Sequence, residues 1–191
     1  MTKIQQKFLK IALGIGAFFF IANKFFANKT TPTVLKRSFM VGDSHAVGIG
    51  SRIKNLVTDR SLAKGGWFVS NLINALNTYP VTYDVKNVFI SIGTNGQFSR
   101  NDKIDLLVQT LKQKFPNAKL YVFVGSYGWS GSLSRAASLA NAQTYYQRFK
   151  NLGVTVLNSP LGYHPTDALA HSTNTPEAKK IIAEITNIIN K

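Results

Sequence analysis

From Leu35 onward, apolar runs of strand length alternate with stretches of helical period, a pattern that predicts an α/β domain built on a parallel sheet. The strand candidates are Ser38 to Val41, Thr58 to Ala63, Val85 to Ile92, Leu120 to Val124 and Val154 to Leu157. Between them the period changes. Ile104, Leu107, Val108, Leu111 and Phe115 fall on one helical face, and Pro116 with Asn117 ends that helix. Ser134 to Leu152 reads as a longer helix closed by Gly153 in a left-handed cap. For the last helix Thr175 supplies a cap, Pro176 suits the first position and Glu177 complements the dipole, while Ala178, Ile181, Ile182, Ile185, Ile188 and Ile189 form a stripe for burial.

The beginning of the chain follows a different pattern. Ile11 to Ala22 is twelve uninterrupted apolar or glycine residues, preceded by Lys3, Lys7 and Lys10 and followed by Asn23, Lys24, Phe25 and Phe26. No polar residue marks a solvent face, so a buried core helix is disfavoured and residues 1–29 read as a membrane anchor or signal segment ahead of a domain over 30–191. The uninterrupted part spans about 18 Å as a helix against roughly 30 Å of hydrocarbon, so a full crossing needs residues 8–27 with Lys10 and Lys24 snorkelling outward. A cleaved signal peptide is the rival. Phe25-Phe26-Ala27 puts a bulky ring where cleavage wants a small residue, which favours a retained single span. Lysines flank both ends, leaving its orientation open.

Charge adds a partner class. The 23 Lys and Arg against 8 Asp and Glu give +15, and five of the lysines lie in the first 29 residues, leaving 18 basic side chains in the remainder. A folded part this basic attracts an anionic polymer or lipid surface. No Arg-rich helix, zinc spacing or aromatic ribonucleoprotein signature is present, so no specific nucleic acid binding is expected. The chain has no cysteine, which excludes disulfides and thiolate chemistry, and 45% hydrophobic residues suffice for a packed core.

In an open parallel sheet, ligands bind beyond the carboxyl ends of the strands, so chemistry is sought in the loops that follow them. Gly42-Asp43-Ser44-His45 follows the first strand, and Gly65-Gly66 follows the second. Gly93-Thr94-Asn95-Gly96 follows the third, and a loop with His164, Asp167 and His171 follows the fifth. A nucleophilic hydroxyl, imidazoles and oxyanion donors are the parts an acyl-transfer site needs. Taken singly, each is an ordinary turn or loop residue: Asp43 caps a turn, Asn95 suits a left-handed position, and Tyr127, Trp129, Tyr145 and Tyr146 belong to core or rim. The glycine-rich stretch Gly125 to Gly131, with its aromatic residues, is a candidate platform for a sugar or acyl group.

The blocks and their order resemble the SGNH hydrolases, also called GDSL esterases and lipases, over Leu35 to Ile189. The resemblance implies a three-layer α/β/α sandwich of flavodoxin-like type with a five-stranded parallel sheet. It also implies Ser44 as nucleophile, His171 as base, and an oxyanion hole from the Ser44 N–H, the Gly66 N–H and the Asn95 side chain. Gly66 is preferred to Gly65 because it sets Ile73 and Leu76 at the spacing of the following helix. The implied activity is ester hydrolysis, without metal or organic cofactor, on acyl esters of envelope polysaccharide or lipid. Compact domains of this kind resemble ones in bacterial envelope and bacteriophage proteins.

Three departures stand out. The family pattern has an aspartate three residues before the base, where this chain has Ala168, and the nearby carboxylate is Asp167, four before His171. Asp167 then needs one extra loop residue to reach the ring, or a backbone carbonyl orients it in a Ser-His dyad. His164, in a His-Pro-Thr run, ranks second as base. Gly96 stands where the third block has an aspartate, and His45 replaces the usual leucine. The alternative function is a catalytically inactive SGNH-fold structural or glycan-binding protein.

Overall fold

A computed structural model describes residues 37–128, 133–158, 162–163 and 172–191. Residues 1–36 lie outside them, including the expected span over residues 8–27. Among the described residues no helix is long and apolar enough to cross a membrane. The elements run β1 (Arg37–Gly42), α1 (Ser44–Gly50), β2 (Leu56–Ala63), α2 (Val69–Thr78), β3 (Val85–Ser91), α3 (Ile104–Lys114), β4 (Lys119–Val122), α4 (Arg135–Asn151), β5 (Thr155–Val156) and α5 (Pro176–Ile189). All five expected strands form, and each pairs parallel in the order β2-β1-β3-β4-β5.

The side-chain alternation of strands sorts the core into two layers. Phe39 and Val41 of β1 and Val88 and Ile90 of β3 face Leu72, Leu76, Leu107, Leu111, Tyr145 and Phe149. Met40 and Phe89 point the other way, into a cluster with Ala46, Ile49, Phe123, Ala178, Ile181 and Ile185. Helices α2, α3 and α4 therefore cover one face, and α1 and α5 the other, which is the expected three-layer sandwich. Strand β3 is buried on both faces apart from half-buried Lys86, as a central parallel strand should be.

The helix ends follow the chemistry of their caps. Ser134 Oγ accepts the Ala137 N–H at 3.2 Å to start α4, and Gly153 closes it at φ +79°. Thr175 Oγ1 accepts the Ala178 N–H at 3.1 Å, and Pro176 opens α5. Of the isoleucine stripe, Ile181 and Ile185 are fully buried, each stabilising the fold by roughly 1.5–3 kcal/mol, while Ile182, Ile188 and Ile189 pack at the margin.

The strand order decides where a site can form. The chain leaves β1 toward β2 on one side and returns to β3 on the other, so the loops after β1 and β3 part around a crevice at the carboxyl edge. Gly42 and Ser91, the last residues of those strands, are register partners there.

Candidate active site

Ser44 owes its place to the two residues before it. Gly42 has φ +134°, and a Cβ at that position would lie 1.7 Å from the Ser91 carbonyl oxygen, so only glycine lets β1 end flush against β3. Beyond it, the Asp43 N–H donates to that same oxygen at 2.8 Å. Asp43 then caps α1, its Oδ1 accepting the His45 N–H at 3.0 Å and, more distantly, the Ser91 hydroxyl at 3.5 Å. Half-buried Ser44 is the first residue of the helix, where its own N–H has no intrahelical acceptor. The strand end thus presents a hydroxyl and an N–H donor together.

Asp43 is wholly buried, and its Oδ2 has no hydrogen-bond partner of good geometry. Burial pushes its carboxyl up to about 7, outweighing the N–H groups of His45, Ala46 and Thr94 and the Ser91 hydroxyl, which favour the anion. Asp43 acts as the turn-capping group its position in the sequence suggests.

The loops after β2 and β3 complete the edge. A Cβ on Gly65 would sit 3.9 Å from Ser44 Cβ, so this loop passes directly beside the serine. Gly66 next to it is left-handed at φ +77°, with open space around it. Asn95 Nδ2 donates to the Trp67 carbonyl at 3.0 Å, which ties the two loops together and uses one of the two amide hydrogens. Asn95 itself is not left-handed. The left-handed residues come two and three positions later, Gln97 at φ +51° and Phe98 at φ +58°, each at a cost of roughly 1–2 kcal/mol that the turn must recover elsewhere. Ser44, Gly66 and Asn95 thus lie in the loops that follow β1, β2 and β3 at the carboxyl edge of the sheet. Asp167, His171, His164 and Trp129 lie outside the described residues.

Beneath the serine lies a polar cluster that sequence reasoning missed. His45, expected only as an imidazole beside the nucleophile, is buried, with Nε2 2.8 Å from Ser126 Oγ. Thr94 Oγ1 donates to the Ser126 carbonyl at 3.3 Å, and the Gly125 N–H to the Tyr146 hydroxyl at 3.1 Å. Gly125 permits this approach, since a Cβ there would lie 2.6 Å from Thr94 Oγ1. Its one sequence signal was a histidine in a leucine position. Tyr145 and Tyr146 are core residues, and Tyr127 bridges to Tyr163 with ring centroids 5.7 Å apart. Among the described residues no group of three or more His, Asp or Glu is placed to hold a metal ion. A groove of about 730 Å³ between α4 and β5, lined by Tyr146, Gln147, Lys150, Val156 and Asn158, does not include Ser44. Convergent polar groups, not this groove, mark the site.

A parallel sheet in the order β2-β1-β3-β4-β5, with Gly-Asp-Ser after β1 and Gly-x-Asn after β3, is the SGNH hydrolase fold, and this chain has it. Among solved structures it is similar to the C-terminal catalytic domain of Streptococcus pneumoniae peptidoglycan O-acetyltransferase A, solved with a methylsulfonyl adduct. That likeness has a TM-score of 0.52 at 14% identity and covers 81% of this chain and 93% of that one. A weaker likeness, TM-score 0.47 at 14% identity over 65% of this chain and 78% of the other, is to a member of the lipolytic protein G-D-S-L family from Veillonella parvula. No protein-family model and no curated protein matches the chain. At these identities the likeness concerns the fold.

Proposed function

We propose that this protein is a serine ester hydrolase acting on acyl esters of envelope polysaccharide or lipid, held at a cell-envelope or virion membrane by residues 8–27. The observation that supports the reading is Ser44 at the start of α1 with Gly65 beside it, in a loop that the Asn95 amide joins through the Trp67 carbonyl. Ser44 Oγ attacks the ester carbonyl, and the tetrahedral oxyanion receives the Ser44 N–H, the Gly66 N–H and the second Asn95 amide hydrogen. The alcohol leaves with a proton, and water releases the acyl group from the serine. The base is His171, the residue that the resemblance implies, with Asp167 or a carbonyl behind it and His164 as the alternative, while His45 is engaged with Ser126 in the interior. The basic surface and the anchor favour a polyanionic or lipid-borne substrate.

Turnover of p-nitrophenyl acetate by the full-length chain tests this reading. Ser44→Ala is expected to abolish turnover, and Asn95→Ala to lower kcat by about 10²–10³. A sulfonyl fluoride should add its sulfonyl mass to Ser44 in the wild type and not in Ser44→Ala. Equal esterase rates for wild type and Ser44→Ala would instead favour the inactive, glycan-binding alternative.

A further inference from the structure

The turn that presents Asn95 draws on residues outside it as well as on its own. It runs from Gly93, at φ +111°, through Gln97 and Phe98, both left-handed, and its internal hydrogen bonds are Gln97 N–H to Thr94 O at 3.0 Å and Phe98 N–H to Gly93 O at 2.9 Å. Groups that lie outside the turn add to these bonds in holding two unfavourable backbone conformations.

They are found in two places. The tip of the Tyr145 ring covers Gly93, with its Cζ, Cε1 and hydroxyl 2.7–2.8 Å from where a Cβ would stand. The same hydroxyl donates to Asp102 Oδ2 at 2.9 Å, and that carboxylate oxygen lies 3.7 Å from the Cβ position of Gly96. One hydrogen-bonded pair therefore touches the turn on both sides of Asn95. Phe98 packs edge-on against the same ring, with centroids 5.5 Å apart at 69°, which sets the far end of the turn. Arg148, three residues along α4 from Tyr145, donates to the carbonyls of Asp102 at 2.6 Å and Arg100 at 3.0 Å, so the helix grips the loop twice.

We infer that Tyr145 and Asp102 act as positioning residues that clamp the Gly93–Phe98 turn and aim the Asn95 amide, in a reading that rests on Asn95 as an oxyanion donor. Trp67 O restrains the amide from the other side. Burial raises the Tyr145 hydroxyl well above its ordinary range, so it stays protonated and donates throughout the working range of an esterase.

Tyr145→Phe, Asp102→Ala, their double variant and Asp102→Asn in the full-length chain test the clamp, with active protein counted by sulfonyl fluoride labelling. Tyr145→Phe and Asp102→Ala are each expected to lower kcat by about tenfold with KM within about twofold, the signature of a weakened transition-state donor. The double variant should lose no more than either single, because both act through one clamp. Asp102→Asn, which keeps an oxygen for the Tyr145 hydroxyl, should recover most of the rate lost in Asp102→Ala. Independently of turnover, the Gln97 and Phe98 amides should exchange about tenfold faster in Tyr145→Phe. Unchanged exchange, losses that multiply, or a stability loss at constant kcat would overturn the clamp. If Ser44→Ala kept the wild-type rate, the catalytic reading would fail and Asn95 positioning with it, whatever the exchange rates.

Discussion

The turn that presents Ser44 is set by consecutive residues seated on the Ser91 carbonyl of β3, whereas the turn that presents Asn95 is braced by side chains from later in the chain. At the first, a glycine admits the neighbouring carbonyl and an aspartate caps the helix that begins one residue later. At the second, Tyr145 and Asp102 brace a backbone with two left-handed non-glycine residues. The two turns also touch, because the Thr94 N–H of the second reaches the Asp43 carboxyl of the first.

Alanine at the glycines of the two turns gives the sharpest contrast. Gly42→Ala drives its methyl into a backbone carbonyl that cannot yield, with an expected loss of roughly 4 kcal/mol or more, enough to leave little folded protein. Gly93→Ala meets the end of a side chain, so its loss in urea denaturation should be smaller, about 2 kcal/mol. Equal losses would mean that the Tyr145 ring yields no more than the Ser91 backbone does.

Next in size is the pH dependence of stability. Asp43 titrates near 7 when folded instead of 3.8, so between these values the folded state holds a proton that the unfolded state has released. Its contribution is complete below about pH 4 and lost as pH rises through 7, a decline on the order of a few kcal/mol. Asp43→Asn, which can still accept the His45 N–H, should flatten that decline in denaturant titrations across pH 4 to 8. An unaltered slope would place the titration elsewhere.

The smallest effect is expected at Gln97. Gln97→Gly removes the left-handed penalty and should raise stability by about 0.5 kcal/mol, read as a slightly higher Tm. A loss above about 1 kcal/mol would show that the Gln97 side chain, and not only Tyr145 and Asp102, holds the turn.

Much of the first turn was legible in the sequence. Gly42, Asp43 and Ser44 are consecutive, and their interactions follow from a strand that ends where a helix begins. Helix α5 was equally readable, because its cap, proline and isoleucine stripe lie within one stretch. A left-handed Asn95 was the ordinary-turn alternative to its oxyanion role, and the left-handed residues are Gln97 and Phe98 instead, with Phe98 packed on Tyr145 and Tyr146. His45 looked like a neighbour of the nucleophile because sequence adjacency does not show which way a helical side chain points. Ser126, which it meets, lies 81 residues away.

By itself the sequence determined the five parallel strands, the covering helices and the loops after β1, β2 and β3 that carry Ser44, Gly66 and Asn95, because periodicity, caps and glycine turns act over a few residues. Only the tertiary structure decided that His45 is buried against Ser126, that Asp43 is an uncharged-leaning cap, and that Asp102 and Tyr145 brace the Asn95 turn. Those outcomes depend on burial and on contacts between distant segments, which exist only once the sheet has brought its carboxyl ends together.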